Sequence, residues 1–197
     1  MLLMLGVPCG AQSPSAAAAV SSPKPRKLEA GERAVVKEAL AKIYLLHAVL
    51  LDLKRTAKAD SGAVSKEMVV AGRKAADTCD AVWAALAPMA QASGDEIPTV
   101  LSGDDKKAFA QLKGTRSGGK SSSAKDQHAK GSKKDGETGT YAEEFLKIAV
   151  REGKALEGVL ERLSKAGGAD LKDLSTQWGV AVKASCAEFE KLAQASK

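Results

Sequence analysis

The chain has 197 residues, enough for one domain with a substantial core, and carries 30 basic against 24 acidic side chains for a net charge of +6. Apolar residues make up 44% but aromatics only 4%, and alanine is abundant while proline is scarce, which favours helices packed through small side chains and argues against a β-sandwich. The modest positive balance gives a weak attraction to polyanions and nothing sharper.

The opening residues, MLLMLGVPCGAQSPSAAAAVSSPKPRK, do not read as fold. A short apolar run leads to Cys9, Gly10 and Ala11 and then to a Pro/Ser/Ala tract, as at the end of a secretory signal cut after Ala11. Two other readings stay open: lipoprotein-type cleavage before Cys9, which Pro8 fits poorly, and a structureless cytoplasmic tail. Residues 12–29 read as a linker, and 30–196 as the helical domain.

The first helix is expected from about Ala30 to Lys58, because Val35, Val36, Leu40, Ile43, Leu46, Leu50 and Leu53 recur every three or four positions. Lys37, Glu38, Lys42 and His47 interrupt it, so it reads as an amphipathic core helix and not as a membrane span. A second helix is expected from about Val64 to Ala92, with Met68, Ala75, Cys79, Val82, Leu86 and Met89 inward, ended by Gly94 and Pro98. Ser102 is a good N-cap, with Asp104 and Asp105 in the first turn, for a short helix to about Lys113.

Residues 114–140, GTRSGGKSSSAKDQHAKGSKKDGETGT, have no hydrophobic periodicity and almost no apolar side chain, which predicts a disordered loop. Its six basic residues, Arg116, Lys120, Lys125, Lys130, Lys133 and Lys134, face three acidic ones and are the candidate contacts for an anionic lipid, polysaccharide or nucleic acid. A solvated, idle loop is the plainer alternative. Within it, Gly118-Gly119-Lys120-Ser121 lacks the spacing and the preceding strand of a phosphate loop.

A fourth helix follows from about Thr140 to Ala166, with Tyr141, Phe145, Ile148, Ala149, Leu156, Val159 and Leu163 inward. After the Gly-Gly-Ala-Asp turn, Asp170 is expected to cap a last helix to about Ser196, with Leu171, Leu174, Trp178, Ala181, Val182, Cys186, Phe189 and Leu192 on its stripe. Trp83 and Trp178 read as core anchors. Four long helices and a short one predict an all-α, antiparallel up-and-down bundle. There is no Rossmann glycine pattern, paired-cysteine zinc spacing or nucleophile elbow, so no catalytic residue, cofactor or metal ligand is assigned.

The landmarks MAQASGDEIPTVLSGDDKKAFAQL (89–112) and YAEEFLKIAVREGKALEGVLERLSKAGGADLKDLSTQWGVAVKASCAEFEKLAQ (141–194) have a familiar order. The most specific stretch pairs Gly94 and Ile97-Pro98 with Leu101-Ser102-x-x-Asp105. This resembles the bacterial exported family known as domain of unknown function 4142, whose members look like ferritin-type bundles. The resemblance implies histidines late in the second helix, in the helix after the Leu-Ser-x-x-Asp turn and in the last helix. At those places this chain has Thr78-Cys79, Gly153 and Cys186, and the family's acidic residue in the first helix falls near Asp52. A ferritin-like di-metal centre uses Glu-x-x-His pairs, which this chain lacks; its only histidines are His47 and His128.

Three readings of Cys79 and Cys186 stand side by side. They are two separate buried thiols, a disulfide in an oxidising compartment once Cys9 has left with the signal, or a thiolate metal or redox site. The disulfide would close a loop of about 107 residues, worth at best about 4.7 kcal/mol in the chain-entropy model. The expected role is non-enzymatic: an exported protein that binds or scaffolds in the cell envelope. A metal-binding or oxidoreductive ferritin-like protein and a polyanion binder are the alternatives.

Overall fold

A computed structural model describes residues 25–59, 62–101, 103–117 and 140–195. The protein is all-helical, with five helices: α1 (Ala30–Ala59), α2 (Lys66–Ala92), α3 (Gly103–Ser117), α4 (Tyr141–Ala166) and α5 (Ala169–Ala195). Long-range packing joins α1 to α2, α2 to α5, α5 to α4 and α4 to α1, while α3 lies against α1 and α4. No described helix is long and apolar enough to cross a membrane.

The apolar periodicity translates directly into burial. Every residue of the α2 and α4 stripes is buried, as are Val36, Leu40, Ile43, Leu46, Leu50 and Leu53 of α1. Trp178 is buried in α5, whereas Trp83 is only partly covered and tilts against Tyr44 and His47. Phe145 of α4 meets Phe189 of α5 edge-to-face, with centroids 5.7 Å apart.

The helix ends show where local signals hold. Thr140 closes a full capping box at the start of α4: its hydroxyl accepts from the Glu143 N–H (3.3 Å), and the Glu143 carboxylate accepts from the Thr140 N–H (2.7 Å). Gly94, at φ 76°, takes the left-handed conformation just past α2, as its place in the sequence requires.

Three boundaries depart from expectation. α2 begins at Lys66, because the Ser65 hydroxyl accepts from the Met68 N–H and acts as its N-cap. α5 begins at Ala169, so Asp170 lies inside the first turn and is held by Arg26, instead of capping the helix. α3 runs on to Ser117, so residues 114–117, expected in the loop, are helical; Arg116 anchors this last turn on α1. The remaining loop residues, 118–139, and the expected N-cap Ser102 lie outside the described residues, as do residues 1–24 with the signal reading.

The end of the stretch read as a linker is tied to the helices. Leu28 is buried and its N–H donates to Ser93 Oγ (2.7 Å). Arg26 grips Glu32 and Asp170 together, and Arg33 holds Asp95 through two hydrogen bonds of 2.9 and 2.8 Å.

Candidate functional site

Cys79 of α2, Gly153 of α4 and Cys186 of α5, three positions far apart in sequence, meet at one cavity of about 20 Å³. Leu46 and Leu50 of α1 and Phe189 of α5 supply much of its apolar wall. Thr78 and Ser185 also line it, but their hydroxyls donate back to the carbonyls of Lys74 and Ala181 within their own helices (3.1 Å each). Gly153 is there for a steric reason: a Cβ at this position would stand 2.4 Å from Cys186 Sγ.

Both thiols are free and buried in this structure. Burial first, then the charge of Asp80 and the neighbouring Cys186, pushes the Cys79 thiol up to about 12. Burial first, then Glu157 and Glu190, pushes Cys186 up to about 11, against the opposing ammonium of Lys154. At neutral pH both are protonated, which makes them poor nucleophiles.

The interior also holds three carboxylates, Glu32, Asp52 and Glu152, each at most 3% exposed. Each is matched to a cation. Asp52 accepts from Arg116 Nη1 and from the Tyr141 hydroxyl (3.1 Å each). Glu152 accepts from Lys42 Nζ (2.9 Å) and Arg151 Nε (2.7 Å). Glu32 accepts from Arg26 and from two backbone N–H groups. Among the described residues no three side chains of the His, Cys, Asp or Glu type come together as a metal could require.

Burial first raises the Tyr141 phenol, so it is a donor to Asp52 at neutral pH. Tyr141→Phe removes that donor from a buried carboxylate and is expected to cost about 1–2 kcal/mol in urea unfolding. A variant as stable as the wild type would mean that Arg116 alone satisfies Asp52.

Arg116, expected in a free loop as a polyanion contact, lies in α3 and pairs with Asp52, with its side chain 40% exposed. The other candidate contacts, Lys120, Lys125, Lys130, Lys133 and Lys134, and His128 lie outside the described residues. His47 Nε2 stands 2.9 Å from Asp80 Oδ1 without the alignment of a hydrogen bond, beside the Trp83 ring.

Sequence reasoning picked out Cys79, Gly153 and Cys186 through the resemblance, and the structure brings the three together. It missed Glu152 and Glu32. Glu152 continues the α4 spacing Phe145–Ile148–x–Leu156, a carboxylate on an apolar line, and that was its available signal. No family model, curated protein or solved structure matches this chain.

Proposed function

We propose that this is a non-enzymatic, exported helical-bundle protein that acts by binding or scaffolding in the cell envelope. The observation that carries this reading is the state of the interior. The positions where the resemblance would place imidazoles hold two protonated thiols and a glycine, and each buried carboxylate is neutralised by its own Arg or Lys. Such an interior offers neither a poised acid–base pair nor a nest of hard oxygen and imidazole donors. The closed cycle of contacts α1–α2–α5–α4 fits an up-and-down four-helix arrangement with α3 as an addition, the architecture the resemblance implies. Export rests on the small residues around Ala11.

Fractionation of cells producing the whole chain, with elemental analysis of the purified product, tests the reading. Expected are a mature form beginning at Gln12 in the envelope or periplasm, and no stoichiometric iron, manganese or zinc. A full-length cytoplasmic product, or one bound hard metal per chain, would overturn it.

One observation favours a second reading, polyanion binding. Thr115, Arg116 and Thr140, which flank the basic segment 118–139, line one cleft with Arg55, and Lys54, Arg55 and Lys58 at this end of α1 are exposed. Deleting residues 118–139 is expected to weaken binding to anionic vesicles and to flatten its dependence on salt, since fewer counterions are released. Unchanged binding after the deletion would remove this reading.

A further inference from the structure

We propose that Cys79 and Cys186 form a two-coordinate site for one soft monovalent cation, Cu(I) or its analogue Ag(I). This goes beyond the binding role above and does not depend on it, because the donors are sulfurs and not the oxygen and imidazole set of a ferritin-like centre.

The first argument is placement. Two thiols, from helices α2 and α5, line one small cavity. The second is the absence of any side chain on Gly153, which leaves Cys186 Sγ its room inside the helix cluster. The third is donor chemistry. Apart from the two sulfurs, the wall is apolar, and the two hydroxyls that reach it bond to their own helices. Zinc and iron need a third and fourth donor, and no such group gathers among the described residues. Soft thiolates without further ligands select Cu(I), and a cavity of about 20 Å³ has room for a single ion.

Binding is written M⁺ + 2 RSH → [M(SR)₂]⁻ + 2 H⁺. Two S–H bonds break, two metal–sulfur bonds form, both protons leave to solvent, and no electron is transferred. The site gains one negative charge. Lys154 of α4 offsets part of it, while Asp80 of α2, Glu157 of α4 and Glu190 of α5 oppose it; α1 contributes Leu46 and Leu50 to the wall. Because two protons are released, affinity is expected to rise by about 100-fold per pH unit below the thiol range.

The test uses the full chain carrying Cys9→Ser, reduced and kept under anaerobic conditions, and titrated with Cu(I) against a chromogenic Cu(I) chelator. One equivalent should be retained per chain, with two protons released per ion. Cys79→Ser and Cys186→Ser should each lose at least 100-fold in affinity. X-ray absorption of the Cu(I)-loaded chain, which does not depend on any cavity variant folding, should show two sulfur neighbours and no nitrogen or oxygen ligand. Reduced protein that fails to compete with the chelator, a single-cysteine variant that binds as tightly as its parent, or a spectrum with three or more ligands would overturn the proposal.

Discussion

Glu32→Ala is expected to lower the unfolding free energy by about 3 kcal/mol, because two backbone N–H groups lose a buried acceptor while Arg26, 32% exposed, keeps Asp170. Glu32 is 1% exposed and uses both oxygens fully. Oε2 accepts from Arg26 Nη1 and the Glu29 N–H (2.8 Å each), and Oε1 accepts from Arg26 Nη2 (2.7 Å) and the Gly168 N–H (2.8 Å). One carboxylate thus joins the segment before α1, the first turn of α1 and the α4–α5 turn. Alanine would leave both N–H groups without their acceptor and free Arg26 to hold Asp170 alone.

The same group sets a pH dependence. The hydrogen bonds from Arg26, opposed by burial and aided by the Gly168 and Glu29 N–H groups, hold the Glu32 carboxyl down at about 2, against an ordinary 4.5. A depressed carboxylate stabilises the folded state fully above its unfolded value, and that contribution disappears as pH falls through the folded one. The stabilisation, roughly 3 kcal/mol, should therefore be intact at pH 6 and lost progressively between 4.5 and 2. Urea unfolding of wild type and Glu32→Ala across this window should converge toward acid pH; a gap that stays constant would show that Glu32 is not the group titrating.

Gly153→Ala is expected to cost a net 1–2 kcal/mol or so, although alanine is the better helix former. The Cβ would stand 2.4 Å from Cys186 Sγ, and such overpacking costs about 1–3 kcal/mol, of which helix propensity returns up to about 1. The melting temperature should fall by about 2–4 °C per kcal/mol. The informative comparison is made in Cys186→Ala protein. With the sulfur gone, alanine at 153 fills space and gains helix propensity, so the same substitution should become neutral or stabilising. An equal penalty in both backgrounds would place the clash elsewhere.

Much of this fold is written in local spacing. A three-and-four rhythm of apolar residues locates four long helices, and Thr140 and Gly94 mark ends because their side chain, or the lack of one, acts on the adjacent backbone. The failures share one physical origin. α1 has a second buried line, Leu45, Val49, Asp52 and Thr56, beside the stripe that periodicity picked out. Its aspartate and threonine disguise it as a solvent face, because the neutralising Arg116 sits 64 residues away. The lack of apolar periodicity from Gly114 onward in turn made the last turn of α3 look like loop, when that Arg116 contact is one of the interactions holding it helical. Glu32 with Arg26 and Asp170 is illegible for the same reason: a charge on a polar-looking position does not name its partner. A pairing of the two thiols was suggested by the cysteine count and by the family resemblance, but two cysteines on apolar stripes are equally well accounted for as small hydrophobes.

The position of Arg116 has a consequence for how the molecule opens. α3 touches only α1 and α4, and Leu112 is its one fully enclosed apolar side chain. A helix so lightly seated would ordinarily detach by itself, as a separate low-energy excursion. Yet detachment also withdraws the guanidinium from Asp52, stranding an anion in the wall of α1 that only the phenol of Tyr141 still addresses. Peeling and charge exposure are thus one cooperative event, and a short, polar helix borrows its persistence from the electrostatics of the helix beneath it.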